Sequence, residues 1–190
     1  MVIILNIGID IDDTITCTYQ TLLPMLAVEY GLNINKLFKQ KPTYKMLSKI
    51  IPNYDLFVKN KFSTMAKIVP LRDGVVEVLK KLREEGHKII FITARTYEEY
   101  DDPFKISYEY LDSNNVQYDK LIVNVTDKAK CCIEEKIDLF IDDSTNHCKM
   151  VQKSGITTYQ FDTIFTKNVK ELKRVKTWYE VYNIVQNMTI

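Results

Sequence analysis

An apolar run beginning at Val2 stops on three carboxylates in Ile7-Gly8-Ile9-Asp10-Ile11-Asp12-Asp13-Thr14. Residues i and i+2 of an extended chain point to the same side, so the spacing predicts Asp10 and Asp12 facing together, with Ile9 and Ile11 facing away. Two like charges in one small space hold a shared proton or recruit a cation, and either outcome suits acid–base or metal-assisted chemistry. The plainer alternative is a strand that breaks into a polar loop with an Asp-rich helix cap. Other polar groups fall in similar positions. Thr93 closes the apolar run from His87, Lys128 stands at a helix start after Leu121 to Asn124, and Asp142-Asp143 close the run from Asp138. Each alone reads as a cap or a solvated loop residue; their joint placement is harder to dismiss.

The elements that must position these groups alternate in type. Val2 to Ile9 reads as a continuous apolar strand of the kind buried on both faces of a parallel sheet. From Leu71 the pattern is a helix to Gly86, a strand from His87 to Thr93, a helix over Phe104 to Leu111, and a strand over Leu121 to Asn124. A helix from Asp127 or Lys128 to Lys136, a strand over Asp138 to Ile141, a helix over Ser144 to Lys153, a final strand over Gly155 to Phe161 and a helix over Val175 to Gln186 complete it. Such alternation predicts an α/β fold: a doubly wound parallel sheet with helices on both faces. Ligands bind such sheets beyond the carboxyl ends of the strands, where the strand order reverses.

Between Thr14 and Leu71 strand character is lost. Helices are expected over Thr16 to Tyr30, ended by Gly31, and over Asn35 to Gln40, Pro42 to Ile51 and Asn53 to Val69. This stretch carries Lys36, Lys39, Lys41, Lys45, Lys49, Lys59, Lys61 and Lys67 against only Glu29 and Asp55, and it is rich in aromatic residues. The charge shift marks a separate unit: a helical insertion at 16–70 on a core made of 1–15 and 71–190. Emerging above the strand end, it would act as a cap whose lysines attract an anion and whose Tyr44, Tyr54, Phe57 or Phe62 stacks on a base.

The 190 residues fit one medium domain able to bury its own core, and the net charge of +1 points to neither a nucleic acid polymer nor a membrane surface. No leader pattern precedes the first strand, and that run is too short to span a bilayer, so a cytoplasmic protein is expected. Cys17, Cys131, Cys132 and Cys148 form no CxxC pair and read as reduced, mostly buried thiols. His87 reads as a surface residue in a helix-to-strand turn, and His147 as a helix-face residue with no role. Arg95 is balanced between a substrate contact and a structural salt bridge.

Taken in order, Asp10-Ile11-Asp12-Asp13-Thr14, Phe91-Ile92-Thr93, Lys128 and Ile141-Asp142-Asp143 resemble the four motifs of the haloacid dehalogenase superfamily of phosphohydrolases. Within it, Ile92-Thr93-Ala94-Arg95, Leu139 to Asp143 and Arg174-Val175-Lys176-Thr177-Trp178 are similar to the bacterial nucleotidase branch related to 5′(3′)-deoxyribonucleotidases. That resemblance implies a Mg²⁺-dependent phosphatase acting on a phosphomonoester, a small (deoxy)nucleoside monophosphate, through an aspartyl-phosphate. It implies Asp10 as nucleophile and Asp12 as acid/base. Mg²⁺ would be held by Asp10, the Asp12 backbone carbonyl and Asp142. Thr14, Thr93, Ala94, Arg95 and Lys128 would contact substrate, and Asp143 would orient Lys128 or metal-bound water.

Other readings stay open. A sugar phosphate or another small phosphoester would suit the same superfamily. A signalling receiver domain also clusters acids, a threonine and a lysine on an α/β sheet, but its lysine would follow the last strand-end acid, whereas Lys128 precedes Asp142. A catalytically silent nucleotide-binding protein is disfavoured by intact Asp10 and Asp12.

Overall fold

The computed structural model of the chain describes residues 3–166 and 169–189, with the side chain of Tyr44 outside that description. Six strands, β1 (Asn6–Ile9), β2 (Lys88–Ile92), β3 (Lys120–Ile122), β4 (Leu139–Asp142), β5 (Thr157–Phe161) and β6 (Lys173–Val175), form one parallel sheet in the order β3-β2-β1-β4-β5-β6. Chain order reverses beside β1: Ile7 pairs with Ile89 of β2 on one side and with Leu139 of β4 on the other. The carboxyl ends of β1 and β4 therefore lie side by side at the switch point, where an open α/β sheet offers its crevice.

Helices α1 (Thr18–Tyr30), α2 (Ile34–Gln40), α3 (Tyr44–Ile50) and α4 (Tyr54–Ile68) occupy the interval after β1. Then come α5 (Val75–Glu84), α6 (Pro103–Ser113), α7 (Lys128–Glu134), α8 (Thr145–Lys153) and α9 (Trp178–Met188). Strand alternation sorts the sheet's side chains. Ile7, Ile9, Ile89 and Phe91 pack with Val78 and Leu82 of α5 and Val181 and Val185 of α9, whereas Ile90, Ile92 and Phe140 pack with Cys132 of α7 and Val151 of α8. Gly8 faces the second layer at very close range: a methyl group there would stand 3.0 Å from Phe140 and 3.1 Å from Ile137. That close approach leaves room for no side chain just before the acidic turn.

Three expectations about the core change. The first strand is shorter than its apolar run: Ile3 and Ile4 are exposed, pairing starts at Asn6, and Val2 lies outside the described residues. Strand β6 adds an edge beyond the expected final strand. Three residues, two of them Lys173 and Arg174, carry too little apolar pattern to announce it, and charge of this kind suits an edge strand. His87 is buried, not on the surface. Its Nδ1 accepts the Leu5 N–H at 3.1 Å, at the end of the sheet opposite the acids, and burial lowers its pKa.

The inserted helices share their own apolar cluster, to which Tyr100 and Ile106 also belong. The insertion leaves and rejoins the core at one place. Thr16 bridges Leu71, Cys17 N–H donates to the Pro70 carbonyl at 2.9 Å, and Arg72 N–H donates to that of Ile15 at 2.8 Å. Tyr54, Phe57 and Phe62 are buried within the cluster, so they are packing residues and present no open face to a base. Helices this short gain most of their stability from such packing. The Tyr44 side chain lies outside the described residues. Half-buried rings that do meet across the seam are Tyr19 and Phe38 of the insertion, whose centroids lie 5.2 Å and 5.8 Å from that of Phe165 on the core.

Candidate active site

Strand β1 ends at Ile9, the Asp10 N–H still donates to the Ile141 carbonyl at 3.0 Å, and the chain then turns, with Asp13 at φ 58°. Ile9 and Ile11 both reach the core cluster, as their spacing predicts. The two carboxylates, however, take separate cations. Asp10 is buried, and its Oδ1 accepts from Lys128 Nζ at 2.5 Å. Asp12 is held by Arg95, whose Nε and Nη2 donate to its two oxygens at 2.8 Å and 2.9 Å.

Lys128 is the first residue of α7, placed there because Asp127 caps the helix by accepting the Lys130 N–H. Its buried ammonium also donates to Asp142 Oδ2 at 2.6 Å, tying the ends of β1 and β4 together. Asp142 is fully buried. Its Oδ1 accepts the Ser144 N–H at 2.7 Å, and its Oδ2 lies 3.1 Å from His147 Nδ1. Thr14, also buried, donates to Asp10 Oδ2 at 3.3 Å and accepts the Asp143 N–H at 3.0 Å. Trp178 Nε1 donates to the Thr14 carbonyl at 3.3 Å, which supports the turn. Thr93 is buried at the end of β2, its Oγ1 accepting the Arg95 N–H at 3.3 Å, with Ala94 between them.

One ammonium shared by several buried acids cannot satisfy them all. Burial pushes the Asp10 carboxyl up to about 6 despite Lys128. Burial likewise raises Asp143 well above the carboxylate range, and Asp13 and Asp142 add to it. Asp142 goes the other way: burial opposes its ionisation, but Lys128 and His147 prevail and bring it down to about 2. Burial also opposes ionisation of Asp12, and Arg95 overcomes it to lower that group. Asp13 stands apart. Both its oxygens accept the Tyr19 N–H at 3.1 Å and 3.2 Å, Arg72 lies 3.5 Å away, and burial raises it to about 7.

Carboxylate oxygens of Asp10, Asp142 and Asp143 lie within 4.8 Å of one another. Hard oxygen donors at that spacing, carrying more negative charge than Lys128 neutralises, fit a divalent cation of the Mg²⁺ type. The Asp12 carboxylate lies outside this set; only its backbone carbonyl was expected to contribute. Asp143 lies among these acids by distance, while the Lys128 ammonium donates to Asp10 and Asp142.

Two partners were not anticipated. His147 reaches Asp142 from the first turn of α8, a placement that its position three residues after the Ser144 cap could have signalled. Arg72 has no local pattern to reveal its contact with Asp13. A cleft of about 720 Å³ that includes Lys41, Asp162, Arg174 and Lys176 contains none of these site residues.

A parallel sheet with acids at the switch point, a lysine bridging two of them and a threonine at the end of the neighbouring strand is the arrangement implied by the resemblance to hydrolases of the haloacid dehalogenase superfamily, and the comparisons place the chain in that class. Solved structures agree on the fold. A HAD-superfamily hydrolase from Ehrlichia chaffeensis is 12% identical at a TM-score of 0.59, covering 98% of both chains. Magnesium-bound YfnB from Bacillus subtilis is 16% identical at 0.62, covering 96% of this chain and 98% of that one. The haloacid dehalogenase-like protein SP0104 from Streptococcus pneumoniae is 13% identical at 0.62, covering 95% and 98%. Comparison with curated proteins finds no match. The sequence itself belongs to the 5′ nucleotidase, deoxy (pyrimidine), cytosolic type C family, whose profile matches residues 3–189. The protein is thus a hydrolase of phosphoric monoesters. Among the described residues no helix is long and apolar enough to cross a membrane.

Proposed function

We propose that the protein is a Mg²⁺-dependent phosphatase of (deoxy)nucleoside monophosphates, with residues 16–70 as a cap over a site built on Asp10. The observation that carries the reading is the buried Asp10–Lys128–Asp142 triad at the switch point, inside a chain matched almost end to end by a nucleotidase family. Asp10, Asp142 and Asp143 would hold the cation, with the Asp12 backbone carbonyl as a further ligand. Bound there, a divalent cation offsets the repulsion between an anionic nucleophile and an anionic substrate.

An Asp10 oxygen attacks phosphorus, forming an aspartyl-phosphate as the bond to the leaving oxygen breaks. Asp12, which Arg95 keeps ionised in the free site, takes up a proton that arrives with the substrate monoanion and gives it to that oxygen. It then takes a proton from water, whose oxygen attacks the phosphoryl group and frees Asp10, so one ester and one water become an alcohol and phosphate. Thr93 and the Ala94 and Arg95 backbone N–H groups would hold non-bridging oxygens, and Lys128 would offset charge as it develops. Thr14, bonded to both Asp10 and the Asp143 backbone, supports the turn in which the nucleophile sits.

The substrate is tested by comparing kcat/KM for nucleoside monophosphates, glucose 6-phosphate and p-nitrophenyl phosphate with Mg²⁺ present. Nucleotides are expected to exceed the sugar phosphate by at least tenfold. Equal values would leave a phosphatase without the nucleotidase assignment.

Metal binding should be linked to protons. Without a cation, the raised Asp10 and Asp143 take up protons on folding, so their ionised forms cost the protein stability; the Asp10 contribution is lost as pH rises through about 6, and Asp143 acts in the same direction. Mg²⁺ removes that cost only where the carboxylates are ionised. The Mg²⁺-induced increase in Tm should therefore grow between about pH 5 and pH 7.5. A constant increase across that range would remove these carboxylates from the metal site.

A further inference from the structure

We infer that Arg95 is a positioning residue for Asp12, and that it ties the aim of this acid/base to the seat of the inserted helices. The inference rests on the phosphatase reading and adds to it a residue whose side chain works through Asp12, which decides between the side-chain substrate contact and the salt bridge that its position left open.

The geometry is a fork with a braced handle. Both Asp12 oxygens accept from the Arg95 guanidinium, which fixes the carboxylate plane where one hydrogen bond would leave it free to rotate. Thr18, the first residue of α1, also donates to Asp12 Oδ1, at 2.9 Å. Arg95 is itself 2% exposed. Its remaining nitrogen, Nη1, donates at 3.1 Å to the buried hydroxyl of Ser107 on α6, and its guanidinium carbon lies 5.4 Å from the centre of the Tyr100 ring. Tyr100 packs on Phe62 of α4 with ring centres 5.8 Å apart. Asp12 is thus held by a core arginine, connected to α4 through the Tyr100 and Phe62 rings, and by a threonine at the start of α1.

Each guanidinium nitrogen already has a protein partner, so the group is built to orient a carboxylate. A shift of α1 or α4 over the core would loosen the grip from either side. When Asp12 carries its proton, one oxygen can stay on the guanidinium while the other presents the O–H to the leaving group.

The test compares Arg95→Lys, Arg95→Met and Tyr100→Leu with wild type on a nucleoside monophosphate, whose leaving oxygen needs a proton, and on p-nitrophenyl phosphate, whose leaving oxygen needs little help. Arg95→Lys should lower kcat for the nucleotide by about 10- to 100-fold with KM within about threefold, and should lose at least tenfold less on p-nitrophenyl phosphate. Lysine keeps the charge but not the fork, so it should rescue little relative to methionine. Tyr100→Leu should show the same pattern more weakly, and the Mg²⁺-induced Tm increase should persist in all three. A rise in KM on both substrates would make Arg95 a phosphate contact and overturn the inference. Equal losses on both substrates with a collapsed Tm would make it merely structural and overturn it too. Wild-type inactivity on both substrates would remove the phosphatase reading, and this inference with it.

Discussion

Replacing Lys128 by methionine is expected to cost about 3–5 kcal/mol of stability and to remove most activity. The ammonium is buried and binds Asp10 at 2.5 Å and Asp142 at 2.6 Å, so its loss leaves two buried carboxylates without their shared cation. Methionine nearly preserves the volume, which makes the loss electrostatic and not one of packing. Part of the stability should return with Mg²⁺, because the cation would occupy the same acidic cluster, whereas activity should stay down by at least ~10²-fold for want of a charge beside the phosphoryl group. Thermal unfolding with and without Mg²⁺, beside phosphate release, checks both halves. A variant as stable as wild type without metal would show that Lys128 does not neutralise these acids.

The second large effect is expected at Asp10. Asp10→Asn should lower kcat by at least ~10⁴-fold while the fold persists, since the amide is nearly isosteric but cannot attack phosphorus. The change also removes a buried carboxyl whose pKa burial already pushes up to about 6, and Lys128 keeps Asp142 as a partner. Unlike Lys128→Met, this substitution should therefore leave Tm close to wild type. Substantial residual turnover, measured on an unchanged far-UV circular dichroism spectrum, would contradict the nucleophile assignment.

The contrast between these residues shows what can be read from a sequence. Asp10, Thr93, Lys128 and Asp142 were legible because each closes an apolar run or opens a helix, and the α/β alternation brings such ends to one edge. The alternation does not fix strand order, so the reversal beside β1, between β2 and β4, is known from the pairing and not from the sequence. What depends on side-chain partners was not legible either. Whether Arg95 meets Asp12 or a ligand is decided by Ser107 and Tyr100, which lie on segments whose docking no local pattern encodes. His87 follows a glycine turn and looks exposed, yet the chain near Leu5 covers it. The aromatic residues of the insertion invited a binding role, but Tyr54, Phe57 and Phe62 are consumed in holding four short helices together.

The central claim is a covalent aspartyl-phosphate on Asp10, and the most direct measurement is its capture. Protein mixed with substrate and Mg²⁺, quenched in acid during turnover and digested, should show one phosphorylated peptide mapping to Asp10. The signal should be stronger in Asp12→Asn, where the base for the second step is gone, and absent in Asp10→Asn. Turnover of wild type with no phosphorylated peptide in either it or Asp12→Asn, or a phosphate mapped to another residue, would contradict the account.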